Sequence, residues 1–102
     1  MSAAAAAPTI SAPAGCTPSC SGLCTSAGLA AAHAAHRGAL LARARAQLDD
    51  PQLAEDAVQE VFVRAWAACA SFDPHAGPPM RAWLATILRN VVIDMVRARS
   101  VR

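Results

Sequence analysis

The sequence contains no lysine, no long apolar run and no charged residue among its first 28 positions. Because no apolar run approaches the ~20 residues of a membrane span, we expect no membrane insertion. The first residues lack a basic segment followed by a leucine-rich one, so they make a poor signal peptide and we expect a cytoplasmic protein. A glycine-rich phosphate loop, a paired-carboxylate cleft and a Ser/His/Asp or Cys/His arrangement are also missing. These absences argue against an enzyme.

Large apolar side chains are scarce in the first third of the chain. The hydrophobic fraction of 55% is inflated by alanine, and Leu, Ile, Val, Phe, Met and Trp are concentrated after residue 39. Residues 1–28 consist mainly of Ala, Pro, Ser, Thr, Gly and Cys, which cannot bury enough surface to offset the cost of ordering the backbone. We therefore expect a disordered N-terminal extension over residues 1–28 and one helical domain over residues 29–102.

Three of the four cysteines lie in this extension, and two histidines follow it. These five weak candidates for metal ligands are Cys16, Cys20, Cys24, His33 and His36. Thiolate and imidazole suit zinc, but only two residues separate the histidines, fewer than in the usual H-x3–5-H pattern. The other interpretations are redox sensing by exposed thiols and an unstructured tail with free cysteines. We favour the last and expect no cofactor. Cys69 is predicted to be a small core residue.

The charge is distributed unevenly along the chain. Residues 1–38 carry a net charge of +1, residues 39–70 carry −2 and residues 71–102 carry +3. An acidic middle and a basic end suggest two different partners, the second of them nucleic acid. The lack of lysine accompanies a general bias toward alanine and arginine, so it says little about bidentate recognition.

Helical periodicity predicts three helices. The first covers about residues 27–48, with an apolar stripe of Leu41, Ala44 and Leu48. Gly38 weakens its middle by ~1 kcal/mol relative to alanine, so the part before it is expected to fray. The residues of this helix predicted to face solvent are Arg37, Arg43 and Arg45.

The second helix carries the clearest signals. Asp50 is a good N-cap, and Pro51 occupies the first helical position, where a missing N–H costs nothing. The predicted core face comprises Ala54, Ala57, Val58, Val61, Phe62, Ala65 and Cys69. The opposite face carries Gln52, Asp56, Gln59 and Glu60 around Val63. An acidic face is usually only solvated surface, but an apolar residue within it favours a docking site.

The third helix is predicted over residues 80–99, after the loop segment SFDPHAGPPM. Its apolar stripe comprises Leu84, Leu88, Val91 and Met95. The opposite arc comprises Trp83, Thr86, Arg89 and Asn90. A tryptophan and an asparagine stand among arginines here, on the side expected to face water, which suggests a binding role.

The segments LAEDAVQEVFVRAW, SFDP and RAWLATILRNVVIDMVRAR, in this order, resemble region 2 of bacterial RNA polymerase sigma factors. The resemblance is greatest to the small extracytoplasmic-function (ECF) group and covers about residues 37–99. It implies an all-α fold, a small three-helix bundle, and a non-enzymatic role in starting transcription.

In this family, the face with the pattern Asp-x-x-Gln-Glu binds the clamp coiled coil of the β′ subunit of the polymerase core. The resemblance therefore implies a polymerase-binding set of Asp56, Gln59 and Glu60, to which we add Val63. Acidic and amide groups around an apolar residue suit a basic helical partner, because they provide both steering and register.

The family's loop and last helix bind the −10 promoter element as its strands separate, so promoter DNA is the second implied partner. The matching residues are Phe72 and His75 in the loop and Trp83, Thr86, Arg89, Asn90 and Arg97 in the helix. Trp83 offers a stacking face for a base of the non-template strand. Asn90 offers a donor and an acceptor to a base edge, and the arginines can hold phosphates.

Structural alternatives to these roles stay open. Trp83 is equally well explained as a partly buried packing residue, and Asn90 as a polar surface residue. For Asp94 we expect a structural ion pair with an arginine in preference to contact with DNA.

The chain departs from the family pattern in two places. Primary sigma factors carry a tryptophan pair where this chain has Thr86 and Ile87, an absence that the ECF group shares and that suggests dependence on a close promoter match. The family's second domain, a helix-turn-helix that binds the −35 element, is not in the sequence, which ends at Arg102. We expect a fragment of a longer protein in preference to a stand-alone domain.

Anti-sigma proteins commonly hold members of this group, so the resemblance implies such a partner as well. Two other functions stay open. One is a zinc- or redox-responsive module built on the Cys/His-rich extension. The other is a sigma-like decoy that binds polymerase without recognising −10 DNA.

Overall fold

A computed structural model describes residues 23–72 and 77–100 of the chain. Its helices are α1 (Ser26–Gln47), α2 (Pro51–Ala67) and α3 (Met80–Ser100), with a short 3-10 helix at Cys69–Ser71. Each α-helix contacts the other two, so the three enclose a single core. The described ranges contain no strand, and the predicted all-α three-helix fold is confirmed. None of their helices is long and apolar enough to cross a membrane.

Helix α2 begins where its sequence signals predict. The carboxylate of Asp50 accepts a hydrogen bond of 2.8 Å from the backbone N–H of Gln52, and Pro51 is the first helical residue. All seven residues of the predicted core face are buried, although Cys69 lies in the 3-10 helix and not in α2. Three of the seven are alanines, which let the neighbouring helices approach closely.

Helix α1 carries the predicted apolar stripe, and Leu41, Ala44 and Leu48 are all buried. The helix runs unbroken through Gly38 and does not end there. Ala32, on the N-terminal side of that glycine, is buried against the core and helps to hold the first turns in place.

The folded part of the chain starts earlier than the predicted boundary at residue 29. Helix α1 begins at Ser26, and the hydroxyl of Thr25 caps it by accepting a hydrogen bond of 3.0 Å from the backbone N–H of Gly28. Leu23 is only 1% exposed and belongs to the core. Composition could not predict that the core begins at Leu23, because a single leucine among small residues gives no periodic signal.

Helix α3 packs with the predicted face inward. Leu84, Leu88 and Val91 are buried, and Met95 packs against the same core. Burying one such leucine is worth about 1.5–3 kcal/mol, so this stripe fixes the rotation of α3 about its axis. Thr86, Arg89 and Asn90 of the opposite arc therefore face outward, while Trp83 is partly buried.

Two ion pairs join the helices at the surface. Arg37 of α1 contacts Glu55 of α2 at 2.7 Å, and Arg64 of α2 contacts Asp94 of α3 at 3.0 Å. Arg37 was expected to face solvent, but it is half-buried because Glu55 of the adjacent helix is within reach. Each pair is partly exposed and adds about 1 kcal/mol or less to stability.

Candidate functional site

The outer face of α2 combines acidic, amide and apolar side chains. Val63 is 60% exposed and is the more exposed of two large apolar residues on the surface of the described ranges, the other being Val96. Asp56 and Gln59 are exposed and Glu60 is half-buried, and we call these four residues the α2 surface. They share one side of the helix because positions three and four apart are neighbours on a helix. The structure thus brings together the whole set predicted to bind polymerase.

Hydrogen bonds to neighbouring side chains orient both carboxylates of the α2 surface. Gln52 donates a hydrogen bond of 3.0 Å from Nε2 to Oδ1 of Asp56, one turn away. Arg64 donates from Nε to Oε2 of Glu60, also at 3.0 Å. The side-chain hydrogen bond to Glu60, followed by that to Asp94, raises the pKa of Arg64 above its ordinary value. The hydrogen bond from Arg64 keeps the carboxylate of Glu60 in place.

The expected ion pair of Asp94 with an arginine is confirmed, and its partner is Arg64. Arg64 is not among the residues predicted from the sequence to form a site. Its spacing of four residues from Glu60 was the available signal, since such positions pair on a helix surface. Arg64 bridges the α2 surface to α3, so it connects the two helices that carry the predicted partner-binding residues.

The outer face of α3 is basic and polar. Thr86, Arg89, Asn90 and Arg97 are exposed, and we call these four residues the α3 surface. Thr86 donates a hydrogen bond of 3.1 Å to the backbone oxygen of Ala82. Within the described ranges, the side chains of Arg89, Asn90 and Arg97 form no hydrogen bond or ion pair, so their polar groups are available to a ligand.

Trp83 lies at the border between the α3 surface and the core. Its ring is partly buried and packs on Phe72, with ring centroids 5.1 Å apart and planes inclined by 43°. This geometry supports the packing interpretation for one side of the ring. Phe72 itself is only 6% exposed, so the structure places it beneath Trp83 and not on the α3 surface. His75 lies outside the described residues.

The five metal-ligand candidates are not assembled in the described part of the chain. His33 packs its ring on Phe62 at a centroid distance of 4.9 Å, while His36 lies beside a groove between α1 and α3. Cys24 is half-buried next to the core. No group of three metal-binding side chains occurs among the residues that the structure describes, and Cys16 and Cys20 lie outside them.

Comparison with known proteins supports the family suggested by the motifs. The family described as Sigma-70 region 2 matches residues 33–102. An ECF RNA polymerase sigma factor SigK of Mycobacterium sp. (strain KMS) is 38% identical over 53 residues, which are 52% of this chain and 27% of that protein. RNA polymerase sigma factor CnrH of Cupriavidus metallidurans is 42% identical over 69 residues, which are 67% of this chain and 35% of that protein.

A third relative belongs to the same group. ECF RNA polymerase sigma factor SigL of Mycobacterium tuberculosis (strain CDC 1551 / Oshkosh) is 43% identical over 53 residues, 52% of this chain and 29% of that protein. The matched segments thus span about a third of the length of these relatives, or less. No solved structure matches the chain significantly. The match to the family over residues 33–102 establishes that the chain belongs to the Sigma-70 region 2 family of the RNA polymerase sigma factors.

Proposed function

We propose that this domain binds the RNA polymerase core through the α2 surface and holds the non-template strand of the −10 promoter element on the α3 surface. The role is non-enzymatic: the domain joins the core, captures the strand as the duplex opens, and stabilises the melted state. The observation that carries this proposal is the presence, on two different helices, of two exposed surfaces with opposite charge.

The composition of the α2 surface supports a protein partner. An exposed valine gains from burial, while two carboxylates and an amide around it select a basic surface and fix its orientation. We propose that the occupant is the clamp coiled coil of the β′ subunit. Hydrogen bonds from Gln52 and Arg64 already orient the carboxylates of Asp56 and Glu60, so less side-chain entropy is lost on binding.

The α3 surface supports a nucleic-acid partner. Arg89 and Arg97 lie about two turns apart on the helix and are free to contact successive parts of a phosphate backbone. Asn90 adjoins Arg89 and offers both a donor and an acceptor, the combination needed for a base edge. The exposed side of Trp83 is available to stack on a base, while Phe72 supports its other side.

These two partners place the protein in the cytoplasm, where polymerase acts. An anti-sigma protein that covers the α2 and α3 surfaces would block both activities, and we propose this as the mode of regulation. The relatives are about three times as long as the matched segment, so recognition of the −35 element would require residues beyond those matched here.

The proposal is tested by assembling the full chain with core polymerase and measuring the affinity of the complex for a −10 single strand and for a scrambled strand. We expect binding to the core and a preference for the −10 sequence. Binding to the core with equal affinity for both strands would identify a decoy. Failure to bind the core, together with stoichiometric zinc in the purified protein, would support the sensor function.

A further inference from the structure

A cleft between α2 and α3 lies beside the α2 surface, and we call it the α2–α3 cleft. Its volume is about 330 Å³, and the residues that line it come from both helices. Helix α2 contributes Asp56, Glu60 and Arg64 to this lining. Since Asp56 and Glu60 also belong to the α2 surface, the two features are continuous. A partner that binds the α2 surface therefore lies at the edge of the cleft.

The cleft is negatively charged, although the chain as a whole has a net charge of +2. Its carboxylates are those of Asp56, Glu60 and Asp94. Arg64 is its one basic lining residue and is shared between Glu60 and Asp94, with an N···O distance of 3.0 Å to each. Asp56 forms no ion pair within the described ranges, and its hydrogen-bond partner is the uncharged amide of Gln52. One guanidinium cannot neutralise three carboxylates, so the cleft repels phosphate and favours a further cation.

The rest of the lining is apolar and indicates what kind of cation fits. Helix α3 contributes Val91, Met95 and Ala98, of which the first is buried, the second half-buried and the third exposed. Lysine and arginine lay an aliphatic stem along apolar surface while the charged head reaches a polar group, and a flexible methionine adapts to such a stem. The three carboxylates do not converge as metal ligands would, since the described residues contain no such group. The cleft therefore fits a long basic side chain.

We propose that the α2–α3 cleft receives an arginine or lysine side chain from the same helical partner that binds the α2 surface. The polymerase-binding site then extends onto α3 and includes Asp94, Met95 and Ala98. One basic helix can cover Val63 and insert a side chain into the cleft, because the cleft and the α2 surface are continuous and both are acidic. This inference rests on the proposed function, since it concerns the same partner, the clamp coiled coil of the β′ subunit.

The test measures the affinity of the full chain for the isolated clamp coiled coil by titration at several salt concentrations. Ala98→Arg places a cation in the cleft, and Ala98→Glu adds a carboxylate there. Ala46→Arg and Ala46→Glu are the matched controls, because Ala46 is an exposed alanine near the C-terminal end of α1 and does not line the cleft. Ala98 is exposed as well, so thermal unfolding should be unchanged in all four variants.

We expect Ala98→Arg to weaken binding about tenfold or more, because like charges brought together in an interface repel. Ala98→Glu should strengthen binding about 1.5–5-fold near ~0.1 M salt, the effect of one added exposed ion pair. This gain should disappear near ~1 M salt. The Ala46 variants should change affinity about twofold or less, through the general field alone. Equal changes at the two positions would overturn the cleft and leave only net charge, and wild-type affinity in both Ala98 variants would overturn it as well.

The cleft and the proposed function fail in distinguishable ways. If Asp56→Arg abolishes binding to the coiled coil while both Ala98 variants bind like the wild type, the cleft is wrong and polymerase binding by the α2 surface stands. If the Ala98 variants change affinity as expected but the complex with core polymerase shows no preference for the −10 strand, the cleft stands and the proposed recognition of DNA is wrong. A wild-type chain that does not bind the coiled coil would overturn both.

Discussion

Arg64 on α2 and Asp94 on α3 form an ion pair, with Nη1 and Oδ2 3.0 Å apart, while Nε of the same guanidinium holds Glu60. One side chain thus connects a residue of the α2 surface with the helix that carries the α3 surface. Because hydrogen bonds to Glu60 and Asp94 raise the pKa of Arg64, its stabilising charge is present at every pH below its ordinary pKa. It would be lost only as pH rises through the raised pKa, far above neutrality.

The first prediction concerns this bridge. Arg64→Gln and Asp94→Asn should each lower the free energy of unfolding by about 1 kcal/mol or less, because the side chains of Glu60, Arg64 and Asp94 are all partly exposed and screened by water. A double-mutant cycle measured by chemical denaturation should give a coupling energy of ~0.2–1 kcal/mol that shrinks at high salt. A coupling of zero at low salt would mean that the pair contributes nothing to holding α2 against α3.

The second prediction concerns the α2 surface. Asp56→Arg should strongly weaken binding to the β′ clamp coiled coil, because it places a positive charge against a basic partner. Asp56 is the appropriate site for this substitution. An arginine in place of Glu60 would lie beside Arg64, and the repulsion between the two would disturb the fold. Pull-down or titration with the isolated coiled coil provides the measurement.

Asp49→Arg is the matched control for Asp56→Arg. Asp49 is exposed, precedes α2 and undergoes the same change of charge, but it does not belong to the α2 surface. It should leave binding nearly intact. Equal binding by Asp56→Arg and the wild-type chain would contradict the assignment of this surface.

The third prediction concerns the start of the folded unit. Leu23→Ala should destabilise the domain by about 2–5 kcal/mol, the usual cost of truncating a buried leucine. Thr25→Ala should cost ~1 kcal/mol by removing the cap of α1. Thermal or denaturant unfolding measures both effects.

Two deletions separate Leu23 and Thr25 from the residues before them. Removing residues 1–22 should shift the unfolding midpoint little, because these residues are mainly Ala, Pro, Ser, Thr, Gly and Cys, which offer little apolar surface to a core. Removing residues 1–25 should produce a loss comparable to that of Leu23→Ala. If the shorter deletion were as damaging as the longer one, residues before Leu23 would contribute to the core.

Local signals explain why some elements were predicted well. The N-cap Asp50 and the first-turn Pro51 lie within two residues of the helix start that they specify, and the apolar stripe of α3 repeats every three or four residues. The burial of Leu23 carries no such local signal, because it depends on how neighbouring helices close over that position. For the same reason the sequence predicted an arginine partner for Asp94 but not which one, since that choice depends on the packing of α2 against α3.

Some features of the candidate site could likewise be predicted from local sequence signals, and others could not. Exposure of Val63, Arg89 and Asn90 followed from helical periodicity alone. The contact of Phe72 with Trp83 did not, because it joins a loop residue to a residue in the first turn of a helix, where the wheel position is least certain. The groove between α1 and α3 beside His36 combines residues from two helices that are distant in sequence, so periodicity within one helix cannot reveal it.

The fourth prediction concerns Trp83, where packing and base stacking overlap. Trp83→Ala should lower the free energy of unfolding by about 3 kcal/mol or less, because the ring is only partly buried on Phe72. Trp83→Phe should restore most of this stability while keeping an aromatic face. If Trp83→Phe unfolds like the wild type and also binds the −10 strand like the wild type, while a folded Trp83→Ala complex binds it ~1–3 kcal/mol more weakly, the ring stacks on a base.

The last prediction concerns Asn90, the residue that tests sequence recognition most directly. Its side chain is exposed and forms no hydrogen bond within the described ranges, so Asn90→Ala should leave the unfolding midpoint unchanged. On the complex with core polymerase, it should weaken binding of the preferred −10 strand by ~1–3 kcal/mol and of scrambled strands much less, because contacts to base edges carry sequence information. Arg97→Gln is the comparison on the same helix: a phosphate contact should weaken all strands alike and lower the salt dependence. Competition titrations with the two strands measure both variants. If Asn90→Ala weakened binding of preferred and scrambled strands equally, Asn90 would contact the DNA backbone and not a base edge, and the proposed base recognition by Asn90 would be wrong.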